Sequence, residues 1–427
     1  MEIHIVKSGE TLSSIAREYG VSLSRLAGEN GLRNADDLAV GQALCVRVPT
    51  LTHTVRAGDT VYSIAREYGI SARTLFQRNF SLAGESRLAV GQEIAISYGE
   101  EITRTIAVNA YAYPFINEQL RNETFPYLTY MTPFTYGISS DGGLLPLDDT
   151  ALLSAAGRYQ TASLMHLSTL TEAGSFSNAR SSMLLRDVDL QERLIEEILL
   201  VMRRSGYYGL DIDFEFVLPA EREAYAAFVR RVRERLHPFG YPVIVALAPK
   251  TSAEQKGLLY EAHDYALLGA AADAVFLMTY EWGYTYGPPM AVAPLPQVRD
   301  VLRYALSEIP SEKIFLGIPI YGYDWTLPYQ KGTSRANSLS PAQAVLLAVR
   351  ERAEIVYDET AQAPYFNYTD RRGSVHTVWF EDARSVRSKL SLVEEYDLAG
   401  IGIWNLLREF PQMWSVLSST FQIETVL

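Results

Sequence analysis

The chain up to Tyr98 carries one hydrophobic–polar pattern twice. A short β-like run, Ile3–Val6, meets the polar stretch Ser8-Gly9-Glu10-Thr11, where glycine permits a turn and Glu10-Thr11 can cap a helix. Leu12, Ile15, Ala16 and Tyr19 then fall on one helical face, and Gly20 marks the stop. A second helix is expected near Ser22–Asn30, and a closing strand after the turn Val40-Gly41-Gln42. The order then returns. Val6-Lys7-Ser8-Gly9-Glu10-Thr11-Leu12 recurs as Val55-Arg56-Ala57-Gly58-Asp59-Thr60-Val61, Ile15–Gly20 as Ile64–Gly69, and Leu38–Gln42 as Leu88–Gln92. The spacing between copies grows by one residue, which places an insertion at 81–86 of the second copy. Each unit reads strand, helix, helix, strand. Two units are too few for a solenoid, and each has its own start and stop signals.

After Ser97-Tyr98-Gly99-Glu100-Glu101 the pattern changes to apolar β-like runs alternating with helical stretches. The runs are Ile106–Tyr113, Tyr127–Ile138, Thr161–Leu170, Gly209–Val217, Val243–Pro249, Ala274–Tyr280, Ile314–Tyr321 and Gly400–Leu406. Helices fit between most of them, for example Asp189–Ser205, Pro219–Leu236 and Pro296–Ser307. Eight such units predict an α/β chain folded as a (β/α)8 TIM barrel. The excess length sits before the eighth run, where Ile355–Asp358, Ala363–Tyr368 and Val375–Phe380 read as short antiparallel strands of a small α+β insertion on a βα loop. The expected organisation is two small βααβ modules, 1–49 and 50–98, followed by the barrel over 99–427.

The fourth run carries the candidate chemistry. In Gly209-Leu210-Asp211-Ile212-Asp213-Phe214-Glu215-Phe216, alternation puts Asp211, Asp213 and Glu215 on one face and the apolar residues on the other. On a barrel strand the acidic face is the interior, where carboxylates are costly unless they hold protons, share hydrogen bonds or serve chemistry. Three readings stand: an edge strand with a solvated acidic face, an oxygen site for a hard cation, and general acid catalysis. Like charges this close cannot all ionise, so such a set retains a proton near neutrality, as leaving-group protonation requires.

Composition narrows the classes. The chain is 48% hydrophobic and 21% charged, as globular proteins are. A net charge of −12 argues against a nucleic-acid partner or an anionic lipid surface. Its 27 tyrosines suit sugar rings and protein cores alike. The single cysteine, Cys45, rules out an internal disulfide framework, and the six histidines show no ligand spacing, so neither metal nor cofactor is expected. Met1-Glu2-Ile3-His4-Ile5-Val6 has no basic leader, and no long apolar run follows, so synthesis without a signal peptide and no membrane insertion are expected.

Each N-terminal unit resembles the LysM module, which binds glycans containing N-acetylglucosamine. The resemblance implies grooves at Gly9, Glu10, Thr11, Leu12 with Asn30, and at Gly58, Asp59, Thr60, Val61 with Asn79. Two modules on one chain raise the effective concentration at a polymer. Tyr208–Glu215 resembles the signature of glycoside hydrolase family 18, Asp-Gly-x-Asp-x-Asp-x-Glu, with Tyr208 in place of its first acid. The resemblance implies Glu215 as acid/base, Asp213 orienting the substrate's 2-acetamido group and Asp211 sharing a proton with Asp213. It implies no protein nucleophile, the acetamido oxygen attacking instead. Met278-Thr279-Tyr280-Glu281-Trp282 resembles the family's Met-x-Tyr-Asp, with Tyr280 steadying the acetamido carbonyl and Glu281 standing where Asp is usual. Trp404 resembles the tryptophan beneath the reacting sugar. Met278, Glu281 and Trp282 are further candidates for substrate contact. Tyr111, Phe134 and Tyr321, in the first, second and seventh runs, are candidates for substrate contact or for barrel packing.

The whole arrangement resembles the cortical-fragment-lytic N-acetylglucosaminidases of bacterial spores. That implies peptidoglycan as the partner, cleavage of spore-cortex glycan during germination, and a place at the spore coat or cortex. A chitinase of the same mechanism and a non-catalytic glycan-binding protein are the alternatives.

Overall fold

The computed structural model describes residues 1–34, 38–82, 88–99 and 101–427. The insertion expected at 81–86 lies, from residue 83 on, outside the described residues.

Both modules fold as the pattern predicts. In the first, strand Glu2–Ile5 pairs antiparallel with Ala43–Val46, and helices Leu12–Tyr19 and Leu23–Glu29 lie between them. In the second, Leu51–Thr54 pairs with Glu93–Ser97 around helices Val61–Glu67 and Ala72–Arg78. Thr11 and Thr60 cap their helices, each accepting from the backbone of a serine three residues on, whose hydroxyl returns the bond. Gly20 closes its helix at φ 67°, a left-handed conformation that glycine adopts without strain. Leu12, Ile15, Leu26 and Leu44 fill one small core, and Val61, Ile64, Leu75 and Ile94 the other.

The barrel strands are Thr105–Ala112, Tyr130–Pro133, Ala162–Ser168, Gly209–Asp213, Val243–Leu247, Ala274–Leu277, Ile314–Pro319 and Gly400–Trp404. Each pairs in parallel with its sequence neighbour, and the eighth closes on the first at Gly400↔Ala107. Parallel strands are covered on both faces, which is why they read as unbroken apolar runs; every residue of Val243–Leu247 is buried. The helices outside present one stripe inward. Helix Val188–Ser205, capped by Asp187 and ended by Gly206, buries Leu190, Leu194, Ile195, Ile198 and Met202. Inside the barrel Gly402 makes room for a ring, since a Cβ there would stand 2.4 Å from Phe276.

The insertion is larger than expected. Its antiparallel sheet runs Asn337–Leu339, Gly322–Leu327, Val375–Trp379, Ala363–Thr369, Val356–Asp358, with helix Pro341–Glu351 alongside. The first two of these strands escaped the sequence reading. Gly322–Leu327 leaves the seventh barrel strand almost without a break, so its apolar pattern merges with that run.

The modules are fastened to the barrel. Arg73 donates to the backbone oxygens of Pro126, Leu128 and Gln160, at 2.9, 2.6 and 2.9 Å. Gln412 donates to Asn30 Oδ1 and to the Ala43 carbonyl, and the amide of Ile355 in the insertion donates to Val40 O. Tyr98 sits between the modules, accepting from Arg25 and donating to Glu29. No helix among the described residues is long and apolar enough to cross a membrane.

Candidate active site

The fourth strand is central, paired with the third and the fifth, which overturns the edge-strand reading of its acids. Asp211 and Asp213 point into the barrel and are 0% and 6% exposed. Strand pairing ends at Asp213, so Glu215 rides the turn beyond it, half-buried at the mouth. The apolar side of the alternation anchors that turn. Phe214 stacks on Tyr225 and Phe228 of the following helix, and its carbonyl accepts from His263 Nε2 at 3.1 Å. Phe216 then takes φ 58°, an uncommon value for a non-glycine residue, and turns the chain away.

Around these acids the structure gathers residues from other strands. The Tyr111 hydroxyl, from the first strand, donates to Asp211 Oδ2 at 2.6 Å. Tyr280, past the sixth strand, is buried within reach of the fields of Asp213 and Glu215. Trp404 ends the eighth strand half-buried, with Phe134 5.0 Å and Tyr111 5.6 Å away between ring centroids. An aromatic row continues outward from Phe134 through Tyr113 to Phe115, which is 73% exposed. Tyr113, the last residue of the run Ile106–Tyr113, and Phe115 just beyond it were not singled out, because neither belongs to a motif.

Burial favours the protonated form of all three acids. Burial pushes Asp211 up to about 7, against the pull of the Tyr111 hydrogen bond. Burial, with the negative charges of Glu215 and Asp211, holds Asp213 well above the usual carboxylate range. Burial and the charge of Glu281 raise Glu215 to about 7. A group near 7 can both give and take a proton at neutral pH, which suits an acid/base. Desolvation and the surrounding acids also push Tyr280 well up, so its hydroxyl stays a donor.

The other sequence candidates divide. Glu281 opens to solvent at the cleft and accepts from Tyr321 at 2.5 Å and Tyr323 at 3.0 Å, while crowding by protein atoms raises its carboxyl. Tyr321 thus serves Glu281. Met278 and Trp282 are partly buried against the core, and Tyr284 and Tyr286 beyond them are exposed. His166, on the third strand directly beside Asp211, faces Asp213 Oδ2 from 3.7 Å. It was missed because a lone histidine in an apolar run carries no motif.

In the modules the expected groove residues are mostly engaged internally. Glu10 accepts from the Lys7 amide at 2.7 Å and pairs with His4 at 2.9 Å; Asp59 does the same with Arg56 and His53. Asn30 bonds to the backbones of Leu26 and Cys45, and Asn79 to those of Leu75 and Ala95. Leu12 and Val61 are core. The side chains of Asn30, Asn79, Leu12 and Val61 are therefore internal braces, leaving their backbone as the part that could line a groove. Gly9, Gly58, Thr11 and Thr60 remain exposed, with Glu10 and Asp59 half-buried. A separate cavity of about 460 Å³, lined by Arg33, Glu123, Gln343 and Arg408 among others, lies between the first module, the insertion and the last barrel loop. No group of His, Cys, Asp or Glu among the described residues could hold a metal ion.

Comparison with known proteins agrees with this architecture. Residues 158–409 match the model of glycosyl hydrolases family 18, and residues 4–47 and 53–97 match the LysM domain. The chain belongs to glycosyl hydrolase family 18. It is 42% identical to the cortical fragment-lytic enzyme of Bacillus subtilis (strain 168), over 99% of both chains. The crystal structure of the spore cortex-lytic enzyme SleL of Bacillus megaterium QM B1551 superposes with a TM-score of 0.83 at 38% identity, covering 100% of this chain and 99% of that one. A chitinase from Chromobacterium violaceum ATCC 12472 matches with a TM-score of 0.67 at 25% identity, covering 74% of this chain and 98% of its own. The family 18 frame thus extends to chitinases, and the two-module arrangement to the spore enzymes.

Proposed function

We propose that this glycoside hydrolase is an N-acetylglucosaminidase acting on spore-cortex peptidoglycan, or on fragments of it, during germination, and that it associates with the spore coat or cortex. Partners of the peptidoglycan or chitin type follow from the two families. The narrower choice of cortex glycan draws on the names of the full-length relatives. The observation that carries the catalytic reading is the row of three acids, Asp211 and Asp213 on the central fourth strand and Glu215 on the turn beyond it, each shifted by burial toward its protonated form.

In this reading Glu215 gives its proton to the glycosidic oxygen as the C1–O bond breaks. The substrate's own acetamido oxygen attacks C1, forming an oxazolinium ion. Asp213 accepts the acetamido N–H while the Tyr280 hydroxyl holds the carbonyl oxygen, and Trp404 supports the sugar ring. Glu215, now ionised, takes a proton from the water that opens the oxazolinium, so the anomeric configuration is retained. Asp211 and Asp213 share the remaining proton inside the barrel. The modules, for which we keep Gly9, Glu10, Thr11, Gly58, Asp59 and Thr60 as groove residues, hold the polymer.

The test is product analysis. Soluble cortical fragments and chitin oligomers are digested in parallel and the new reducing ends identified. N-acetylglucosamine ends from cortical fragments are expected. Cleavage of chitin oligomers alone would replace this reading with the chitinase one, and no cleavage of either would favour a glycan-binding protein.

A further inference from the structure

The fourth and eighth strands face each other across the closed barrel, so the two ends of the cleft differ. Glu215, past the fourth strand, meets the bond that breaks, and the leaving sugar lies on its side. Trp404 ends the eighth strand, under the sugar that is attacked. The sugar before that one then runs out over the loops of the eighth and first strands. Tyr113, with its ring 6.2 Å from Trp404, and Phe115 beyond it offer aromatic faces there.

Arg408 lies in the same outer stretch, four residues past Trp404 and half-buried. Its Nη2 donates to Ser338 Oγ at 2.8 Å. Ser338 pairs in register with Tyr323 of the neighbouring insertion strand, so their side chains share a face. The Tyr323 hydroxyl donates to Glu281 at the cleft, and the field of Arg408 reaches it. The guanidinium therefore stands on the rim where the insertion meets the eighth-strand loop.

That cation has no acid of its own. Ser338 is the sole hydrogen-bond partner of its side chain among the described residues, and it uses one of five N–H donors. The other charged groups on the wall of the adjoining 460 Å³ cavity are answered within the fold. Arg33 pairs with Glu409 at 2.9 Å, Glu381 with Lys389 at 2.8 Å and Asp382 with Arg384 at 2.7 Å. Glu123 accepts from Gln119 at 2.7 Å. In a chain of net charge −12, Arg408 is thus left for an acid from outside.

We propose that Arg408 is a specificity residue that reads the acid on a peptidoglycan strand. Such strands alternate N-acetylglucosamine with muramic acid, whose lactyl ether ends in a carboxylate; chitin carries no charge. The guanidinium pairs with the lactyl carboxylate of the muramic acid that precedes the N-acetylglucosamine over Trp404. Its planar fork matches both carboxylate oxygens, which a lysine ammonium does not. The proposal rests on the reading of the substrate as peptidoglycan.

The probes are oligosaccharides of alternating N-acetylglucosamine and muramic acid with free lactyl carboxyl groups, and the same oligosaccharides with those groups converted to amides. The wild type is expected to favour the acid form about tenfold in kcat/KM, through KM, the scale of one hydrogen-bonded charge pair. Arg408→Gln should bring that preference close to one, and Arg408→Lys should restore part of it. Added salt should narrow the preference of the wild type. Equal loss on both forms in Arg408→Gln would make the residue a plain strap to Ser338 and overturn the proposal, as would an unchanged preference. Should the variant fail to fold, the wild type decides: equal kcat/KM on the two forms overturns the proposal. Cleavage of chitin oligomers with neither form cut fells the peptidoglycan reading itself, whereas cleavage of both forms without preference fells only this inference.

Discussion

The carboxylates of the module loops and those of the fourth barrel strand are driven in opposite directions by their surroundings. In the module loops Glu10 and Asp59 each accept a backbone amide and a histidine ring while facing water. The Lys7 amide and His4 hold Glu10 below the usual carboxylate range, and His53 and the Arg56 amide do the same for Asp59. On the fourth barrel strand Asp211 has one hydroxyl partner and Asp213 none, and burial raises both. Residue type and acidity in the sequence are the same. What separates a brace from a reactive acid is whether the fold supplies donors before it removes water.

The sharpest break in that comparison is Glu215→Gln. Glutamine keeps the shape and cannot donate an acidic proton, so kcat should fall by roughly 10²-fold or more, the usual contribution of a general acid. Binding to insoluble cortex, measured by co-sedimentation, should persist. Near wild-type turnover in this variant would sink the assignment.

The next effect is on stability, through Asp211→Asn. Asp211 rises from 3.8 to about 7 on folding, so between those values the folded state binds more protons than the unfolded one. Its contribution is therefore complete at acid pH, declines as pH rises through that window, and levels off above it. The asparagine variant has no such proton to lose. Denaturation midpoints of the two proteins, compared from pH 4 to pH 8, should converge or cross as pH rises, moving in favour of the variant. A constant difference across the range would show that Asp211 titrates normally.

Tyr111→Phe comes third. It removes the one hydrogen bond that pulls Asp211 down, so Asp211 should hold its proton to still higher pH. A loss of about tenfold in kcat is expected, the scale of one buried hydrogen bond to a charged group, with KM nearly unchanged. A rise in KM without a fall in kcat would instead make Tyr111 a sugar contact.

The contrast between the two settings was only half legible in the sequence. The barrel was readable because buried parallel strands leave unbroken apolar runs, and the alternation in Leu210–Phe216 set the acids apart from the core. Alternation was nevertheless applied one turn too far, since pairing ends at Asp213 and Glu215 sits on the turn beyond. The module loops misled for a different reason. Asn30 and Asn79 bridge backbones 15 and 16 residues away, and His4 and His53 find their carboxylates through the fold of the loop. The Arg73 and Gln412 clamps join residues dozens to hundreds of positions apart. Hydrophobic periodicity reports which face a residue takes and is silent on which distant group it meets there. Helix and strand positions were therefore readable, while docking, the merged strand Gly322–Leu327 and the His166–Asp213 pair were not.

The smallest expected effect sharpens the comparison most, because it carries the opposite sign. In Glu10→Gln combined with Asp59→Asn, turnover of soluble cortical fragments should be unchanged, since both carboxylates bond within their own module loops. The loops would still lose a charged acceptor shared by an amide and a histidine, and retention on insoluble cortex is the quantity that should drop. The pH signature separates this from a barrel effect. Glu10 and Asp59 are depressed on folding, so their stabilising contribution is present above the ordinary carboxylate value and fades as pH falls through the folded one. Retention by the wild type should therefore approach that of the double variant at acid pH, just where Asp211 contributes most to the barrel. If the double variant instead slowed turnover of soluble fragments as Glu215→Gln does, the division between brace and reactive acid would fail.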